Sequence, residues 1–198
     1  VLEWHGEVLH PLFLAAHGVL TCAIVQGECV LLSAPPRLAG PWLSMIAGLT
    51  RPLSGRIHLA GHDMTLRPLE RRRIAFHAAA VMPVLAITVG EYLQLASAGR
   101  PPAVQTDTAE AARISGLRLT QSVEMLDAAA MQTLGLTAAL ASGAAVLLVD
   151  APLATGAGDD HTRRRALLTE ARHSGRTLLI TGLNTRDPLV DHMIEAGA

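Results

Sequence analysis

Ala145-Val146-Leu147-Leu148-Val149, ending at Asp150, is the clearest strand signal in the chain. Its aliphatic residues do not alternate with polar ones, which is typical of a strand buried on both faces of a parallel sheet. The whole apolar run from Gly143 to Val149 is far shorter than the roughly 18–20 residues of a membrane span. The run therefore indicates a core strand of a globular domain.

Other short apolar runs and several helical patterns surround this strand. Cys29 to Leu32 and Thr177 to Thr181 have the composition of buried strands, and Arg56 to Leu59 alternates as a strand does. Helical spacing is found in Trp42 to Leu49, Thr88 to Leu95, Ala109 to Leu119, Met125 to Leu140 and His161 to Arg172. Strands that alternate with helices predict an α/β fold with a mostly parallel sheet.

The segment after the strand Cys29 to Leu32 is predicted to be a loop that leads into a helix. Ala34 to Pro41 contains three prolines and a glycine, which are loop-forming residues. Pro41 suits the first turn of a helix, where its missing N–H costs little. In the helix that follows, Trp42, Met45, Ile46 and Leu49 share one face. The expected order is strand, loop, helix.

Length, charge and cysteine content limit the possible functions. The 198 residues suffice for one domain, predicted to span 1–198, and the net charge of −1 gives no reason to expect nucleic-acid binding. All basic residues other than histidine are arginines, which excludes mechanisms that need a lysine ammonium. Cys22 and Cys29 flank a predicted turn and are open to two interpretations, a disulfide or two buried thiols.

Nine segments along the chain form an ordered series. These segments are Gly27-Glu28, Ile46-Ala47-Gly48-Leu49, Arg51-Pro52-Leu53-Ser54-Gly55-Arg56-Ile57, Gly61-His62-Asp63, Arg71-Arg72-Arg73-Ile74-Ala75-Phe76, Thr88-Val89-Gly90-Glu91-Tyr92-Leu93, Val146 to Pro152, Gly175 to Thr181 and Asp191 to Gly197. In order and spacing the series resembles the nucleotide-binding domain of ABC transporters. The resemblance implies a P-loop NTPase-like, mostly parallel sheet flanked by helices. It also implies an N-terminal antiparallel β part and a reduced helical subdomain over approximately 88–140.

The same alignment shows a degenerate phosphate-binding loop. The pattern G-x-x-x-x-G-K-[ST] falls on Ser33, Ala34, Pro35, Pro36, Arg37, Leu38, Ala39 and Gly40, with Pro41 next. Ser33 and Leu38 replace the two glycines, Ala39 replaces the lysine, and Gly40 lacks the hydroxyl that binds Mg²⁺. A P-loop binds phosphate through consecutive backbone N–H groups, and each proline removes one such donor.

The remaining ATPase motifs are also altered. Ala79 stands at the Q-loop glutamine, Ala151 at the catalytic glutamate and Gly182 at the switch histidine, while Walker B keeps Asp150. The signature motif that contacts a partner's nucleotide reads Leu126, Asp127, Ala128, Ala129 and Ala130. Asp127 puts a carboxylate where the family's serine faces phosphate, so it is expected to repel the nucleotide.

The leading hypothesis is a degenerate, non-hydrolysing ABC-type subunit with a structural or regulatory role at the cytoplasmic face of a membrane. It would bind a permease subunit and pair with an active ABC ATPase or with itself, with no metal and no cofactor of its own. One alternative is a functional ATP-binding subunit with an atypical site, which would bind ATP and Mg²⁺. Another is a stand-alone interaction module.

Several individual residues allow two interpretations. Arg37 either holds an anion or is solvated, and Asp150 either binds a metal or is a residual strand-end carboxylate. Trp4 and Phe13 are rival candidates for the aromatic residue that stacks on adenine in the family, and both could serve packing alone. His58 and His62 lack the spacing of a helical metal site.

Two segments likewise allow two interpretations each. Arg163-Arg164-Arg165 is either a solvated helix face or a contact for acidic groups on a partner. Met82 to Ile87 either packs in the core or, with the helical part that follows, receives the coupling helix of a membrane subunit.

Overall fold

The computed structural model describes residues 2–5, 22–52, 54–78, 86–98 and 108–196. Its strands are β1 (Leu2–His5), β2 (Cys22–Ile24), β3 (Cys29–Ser33), β4 (Arg56–Leu59), β5 (His62–Asp63), β6 (Ile74–Ala78), β7 (Val146–Asp150), β8 (Thr177–Ile180) and β9 (His192–Glu195). Its helices are α1 (Pro36–Ala47), α2 (Leu69–Arg72), α3 (Val89–Ser97), α4 (Thr108–Ser115), α5 (Ala128–Ala141) and α6 (Asp159–His173).

A parallel sheet of five strands forms the centre of the molecule, in the order β6-β7-β8-β3-β9. Both faces of β7 are covered. Leu148 belongs to the apolar cluster that contains Trp42 and Met45 of α1. Its neighbour Leu147 belongs to the cluster on the opposite face, together with Leu167 of α6. Because side chains alternate along a strand, the continuous apolar run supplies both faces at once.

A second, antiparallel sheet has the strand order β2-β1-β4-β5. β1 lies between β2 and β4, and Ile57 of β4 is buried in the same cluster as α1. Helices α3, α4 and α5 pack around a third apolar cluster, which includes Val89, Leu93 and Leu134. The predicted α/β class, with an antiparallel part and a helical part, is confirmed.

The predicted loop from Ala34 to Pro41 is wrong, because α1 begins at Pro36. Proline favours the first helical position, so Pro36 starts the helix that was expected to start near residue 42. Pro41 consequently lies inside the helix rather than in its first turn. Leu49 was placed on the buried face, but the helix ends at Ala47 and Leu49 is exposed.

Most other elements lie close to their predicted positions. The helix predicted over Thr88 to Leu95 is α3, which Thr88 and Glu91 begin with a reciprocal capping box. The short helix α2 was not predicted. Cys29 is a free, buried thiol, and burial raises its pKa to about 12. The interpretation of Cys22 and Cys29 as a disulfide is therefore wrong. No helix within the described residues is long and apolar enough to span a membrane.

Candidate functional site

The turn from β3 into α1 occupies the place where the sequence predicts a phosphate-binding loop. Only Ala34 and Pro35 separate the last strand residue from the first helical residue. The Pro35 carbonyl accepts hydrogen bonds from Leu38 N (2.7 Å) and Ala39 N (3.2 Å). Two backbone donors of the first turn are thus used within the helix, and Pro36 has none to offer.

The side chains of this turn divide between the core and the surface. Leu38, at the second glycine of the predicted motif, is fully buried in the α1 cluster. Ala39, at the lysine of the motif, is also buried. The early start of the helix places both on the core face of α1. Arg37 is exposed on the first helical turn.

Gly40 and Asp150 meet beside this turn. A Cβ atom on Gly40 would lie 3.1 Å from Asp150 Oδ2. The other carboxylate oxygen, Asp150 Oδ1, accepts a hydrogen bond from Thr181 Oγ1 (2.6 Å), and the same hydroxyl accepts from Ala151 N (3.0 Å). The structure thus joins the ends of β7 and β8 to α1 at one carboxylate. Sequence reasoning did not assign a role to Thr181.

Ala151 and Gly182 are also neighbours. A Cβ atom on Gly182 would lie 3.0 Å from Ala151 Cα and 3.1 Å from Ala151 Cβ. Gly182 has φ +71 and Ala151 has φ +43, in the left-handed region that disfavours side chains. A histidine at position 182 would meet both the strain and the close contact. The pair can supply neither a carboxylate nor an imidazole to a reacting group.

The signature-like segment begins helix α5. Leu126 is buried, and the Asp127 carboxylate accepts a hydrogen bond from Ala130 N (2.8 Å) as the N-cap. Ala128, Ala129 and Ala130 form the first turn. A carboxylate at a helix N-terminus is stabilised by the helix dipole. An anionic side chain of this chain therefore already occupies the N-terminus of α5.

Several predicted residues lie outside the described part of the structure. Ala79 follows the last described residue of β6, whose Ala78 pairs with Asp150, and Phe13 and residues 82–85 are likewise outside. Trp4 lies in β1, but its side chain is not among those described. Within the described residues, no group of three or more histidine, cysteine or acidic side chains is placed to hold a metal.

The arginine run at the start of α6 has a structural role that the sequence did not reveal. Arg164 is fully buried and donates to the carbonyl oxygens of Pro152 and Thr155. Arg165 forms a bidentate ion pair with the buried Asp187 through two hydrogen bonds. The interpretation as a solvated face is therefore wrong for Arg164, whereas Arg165 is partly exposed and paired within the chain. The pattern of charges along one helix does not indicate which residues are buried or which partners on neighbouring loops they contact.

A groove of about 440 Å³ lies between β6 and the helices α3 and α5. Its lining includes Phe76, Tyr92 and Ala138, and His77 lies at its β6 wall. His77 Nε2 is buried with no hydrogen-bond partner in the described structure. Burial lowers the pKa of His77 to about 4, partly offset by a hydrogen bond with the Gln132 side chain. The imidazole is therefore neutral at physiological pH.

This arrangement of sheets and helices is found in solved structures. A nucleotide-free ATP-binding cassette from an ABC transporter matches with a TM-score of 0.80 and 17% identity, over 98% of this chain and 87% of that one. A dimeric cassette bound to ADP and phosphate also has a TM-score of 0.80, with 16% identity, over 100% of this chain and 94% of that one. The chain has the ATP-binding cassette fold. The resemblance and the fold class predicted from the sequence are confirmed.

Two curated ATP-binding proteins are similar to this chain in sequence. The cassette is 29% identical over 170 residues to the Fe(3+) ions import ATP-binding protein FbpC 1 of Pectobacterium atrosepticum, covering 83% of this chain and 47% of that protein. The protein of the same name from Haemophilus influenzae is 29% identical over 171 residues, covering 83% and 51%. The chain thus spans about half the length of these relatives. No protein-family model matches it.

Proposed function

We propose that this cassette is a non-hydrolysing subunit of an ABC transporter that binds a membrane permease and pairs with an active ATPase or with a second copy of itself. The observation that carries the proposal is the two-residue connection between β3 and α1. Where phosphates would need a ring of free backbone N–H groups, Leu38 N and Ala39 N already bond to the Pro35 carbonyl. The neighbouring Pro36 contributes no donor.

The size of the expected loss supports this proposal. A hydrogen bond to a charged group contributes about 1.5–3 kcal/mol. Loss of four such contacts therefore removes on the order of 6–12 kcal/mol, whereas a micromolar ligand has about 8 kcal/mol of binding free energy in total. The contacts in question are the backbone donors of the turn, the lysine replaced by Ala39 and the hydroxyl absent from Gly40.

The other two parts of the site support the same proposal. Phosphoryl transfer needs groups that position the attacking water and stabilise charge on the transferred phosphate. Ala151 and Gly182 provide none, and their close packing leaves little room for larger side chains. In a paired cassette, Asp127 would face the partner's nucleotide with a carboxylate that already caps α5. This arrangement disfavours nucleotide binding between the two subunits.

The groove between β6, α3 and α5 is the surface that we propose for the permease. It is concave and lined largely by apolar and small side chains, which suits a short helix of a membrane subunit. Helices α3 and α5, which form two of its walls, are capped by Thr88 and Asp127 and pack in one apolar cluster. Docking there would place the chain peripherally, on the cytoplasmic side of the membrane.

A turnover assay on the purified transporter complex tests the proposal. Asp150→Asn keeps an acceptor for Thr181 Oγ1 and removes the carboxylate charge. We expect ATP turnover to stay within twofold of the unmodified complex, while substitution of the Walker lysine in the partner ATPase abolishes it. A tenfold fall in turnover with Asp150→Asn would overturn the proposal, provided that circular dichroism shows the variant to be folded.

One observation favours a second candidate, an ATP-binding subunit with an atypical site. Asp150 is retained at the end of β7, and Gly40 leaves space next to its Oδ2 atom. The curated relatives are themselves called ATP-binding proteins. If this candidate is correct, Asp150→Asn lowers turnover and weakens Mg-ATP binding in the isolated chain as well.

A further inference from the structure

Positive charge is concentrated in one segment of this nearly neutral chain. Six of the sixteen arginines, but only two of the seventeen acidic residues, lie between residues 51 and 73. Arg72 is buried there, whereas Arg56, Arg67 and Arg71 are exposed. The segment therefore presents a strongly basic surface, although the net charge of the whole chain is −1.

This surface is concave. Two adjoining clefts of about 640 and 360 Å³ share Asp63 and Arg67 in their lining. The first cleft also contains Arg56 and Leu66, and the second contains Arg71. We call the combined feature the arginine groove, lined by Arg56, Asp63, Leu66, Arg67 and Arg71.

The cations of the arginine groove are only weakly neutralised. Arg67 and Arg71 have no side-chain hydrogen bond or ion pair with any other residue that the structure describes. Arg56 lies 3.9 Å from Asp63, a distant pair with a largely exposed arginine. The Asp63 carboxylate is instead oriented by Thr65, whose N–H donates to it (2.9 Å) and which keeps the pKa of Asp63 below its usual value. Two guanidinium groups are thus available to a ligand.

Apolar surface and an open strand edge adjoin these cations. Leu66 is 73% exposed and lines the first cleft. β5 pairs only with β4, so its other edge has no neighbouring strand among the described residues. An extended peptide could lie along such an edge, while alternate side chains reach toward the protein. Carboxylates would then meet the arginines and an aliphatic side chain would meet Leu66.

We infer that the arginine groove binds an extended acidic segment of a partner protein that carries aliphatic side chains. Arginine forks match carboxylates in geometry as well as charge. A nucleic acid fits less well, because the described lining of the groove has no phenylalanine, tyrosine or tryptophan for base stacking and Asp63 would face the phosphates. A flat lipid surface matches the concave shape of the groove less well than an extended peptide does. The inference rests on this surface alone and not on the nucleotide site.

Fluorescence anisotropy with two labelled peptides tests the inference on the full chain. One peptide has about ten residues of alternating glutamate and leucine, and the other has glutamine in place of glutamate. At low ionic strength we expect saturable binding of the acidic peptide only. Arg67→Gln with Arg71→Gln should weaken it at least tenfold, and so should Leu66→Asp, which adds a carboxylate to the groove.

The matched control is Arg118→Gln with Arg186→Gln, which removes the same charge from two exposed arginines outside the groove. We expect this variant to bind within twofold of the unmodified chain. Equal weakening by the two double variants would overturn the inference, as would equal binding of the glutamine peptide. Failure of the acidic peptide to bind would also overturn the inference. If the chain then cosedimented with phosphatidylserine vesicles, the groove would be a lipid-binding surface instead. All variants are compared by thermal melting.

Discussion

Arg72 shows how a charged residue can serve the core of this fold. It is 1% exposed and donates from Nη1 to the carbonyl oxygens of Met45 and Ile46 at the end of α1. Its other nitrogens donate to Arg67 O and Thr65 O. Gly48 makes room for it, since a Cβ there would lie 2.4 Å from Arg72 Nε. The last carbonyls of a helix need such donors.

Replacement of Arg72 should therefore destabilise the protein strongly. Arg72→Met keeps most of the side-chain volume and leaves four carbonyl acceptors without this donor. We expect a loss of about 3 kcal/mol or more in the free energy of unfolding, measured by urea denaturation. The neighbouring Arg71→Met, on the exposed side of α2, should cost less than about 0.5 kcal/mol. Equal effects of the two substitutions would contradict the role of Arg72.

The lowered pKa of the buried His77 predicts how the stability of the protein depends on pH. Burial lowers the pKa of the folded His77 to about 4, against about 6.5 in the unfolded chain. Between these values the unfolded state binds a proton that the folded state excludes, so stability falls as the pH drops from 6.5 towards 4. At pH 5 the loss is about 2 kcal/mol, or roughly 4–8 °C in the melting midpoint.

Melting curves of His77→Leu at pH 8 and pH 5 test this contribution. The variant should lose less stability than the unmodified chain when the pH falls from 8 to 5, because it has no imidazole that gains a proton on unfolding. His192→Gln, which changes an exposed histidine, should keep the full pH dependence. If His77→Leu and the unmodified chain lose the same stability between these pH values, the assignment is wrong.

At the scale of elements, the start of α1 decides how the site is built. Pro41 is the sixth residue of this helix and lacks the N–H that would bond the Arg37 carbonyl. A proline inside a helix is costly, and the burial of Leu38, Trp42 and Met45 offsets that cost. The helix is thus held by packing rather than by its local sequence preferences.

Pro41→Ala distinguishes the observed helix from the loop that the sequence suggests. Alanine restores the missing donor in the helix, so the variant should be more stable by about 1–3 kcal/mol in urea denaturation. If residues 36–41 formed a loop and Pro41 began the helix, the same change would destabilise the protein by about 0.4–1 kcal/mol through the unfolded state. A lower stability would therefore contradict the early start of α1.

Comparison of α1 with other parts of the fold shows where prediction from sequence succeeds and where it fails. The run Val146 to Asp150 identified β7 because continuous aliphatic residues have few alternatives to a buried strand. The helix predicted from spacing over Thr88 to Leu95 begins where expected, because Thr88 and Glu91 cap α3 through local hydrogen bonds. The prolines near α1 suggested a loop, because local rules do not include the core contacts of Leu38. The burial of Arg72 and Arg164 likewise depends on carbonyls that are distant in sequence.

The molecule as a whole has the ATP-binding cassette fold. The central sheet brings Gly40, Asp150, Ala151 and Gly182 together at the carboxyl ends of its strands, where ligands bind in open α/β sheets. The alignment of motifs located this meeting point from sequence alone. It could not show that Leu38 and Ala39 are buried or that their N–H groups are used by Pro35.

Fold alone does not determine function, so the proposed loss of nucleotide binding must be measured directly. Isothermal titration of Mg-ATP into the purified chain is the most direct test, with an active ABC cassette as the positive control. A cooperative melting curve establishes that the chain is folded. We expect no saturable heat up to about 1 mM nucleotide. Saturable binding with a dissociation constant of about 10 μM or lower would contradict the proposed loss of the phosphate site.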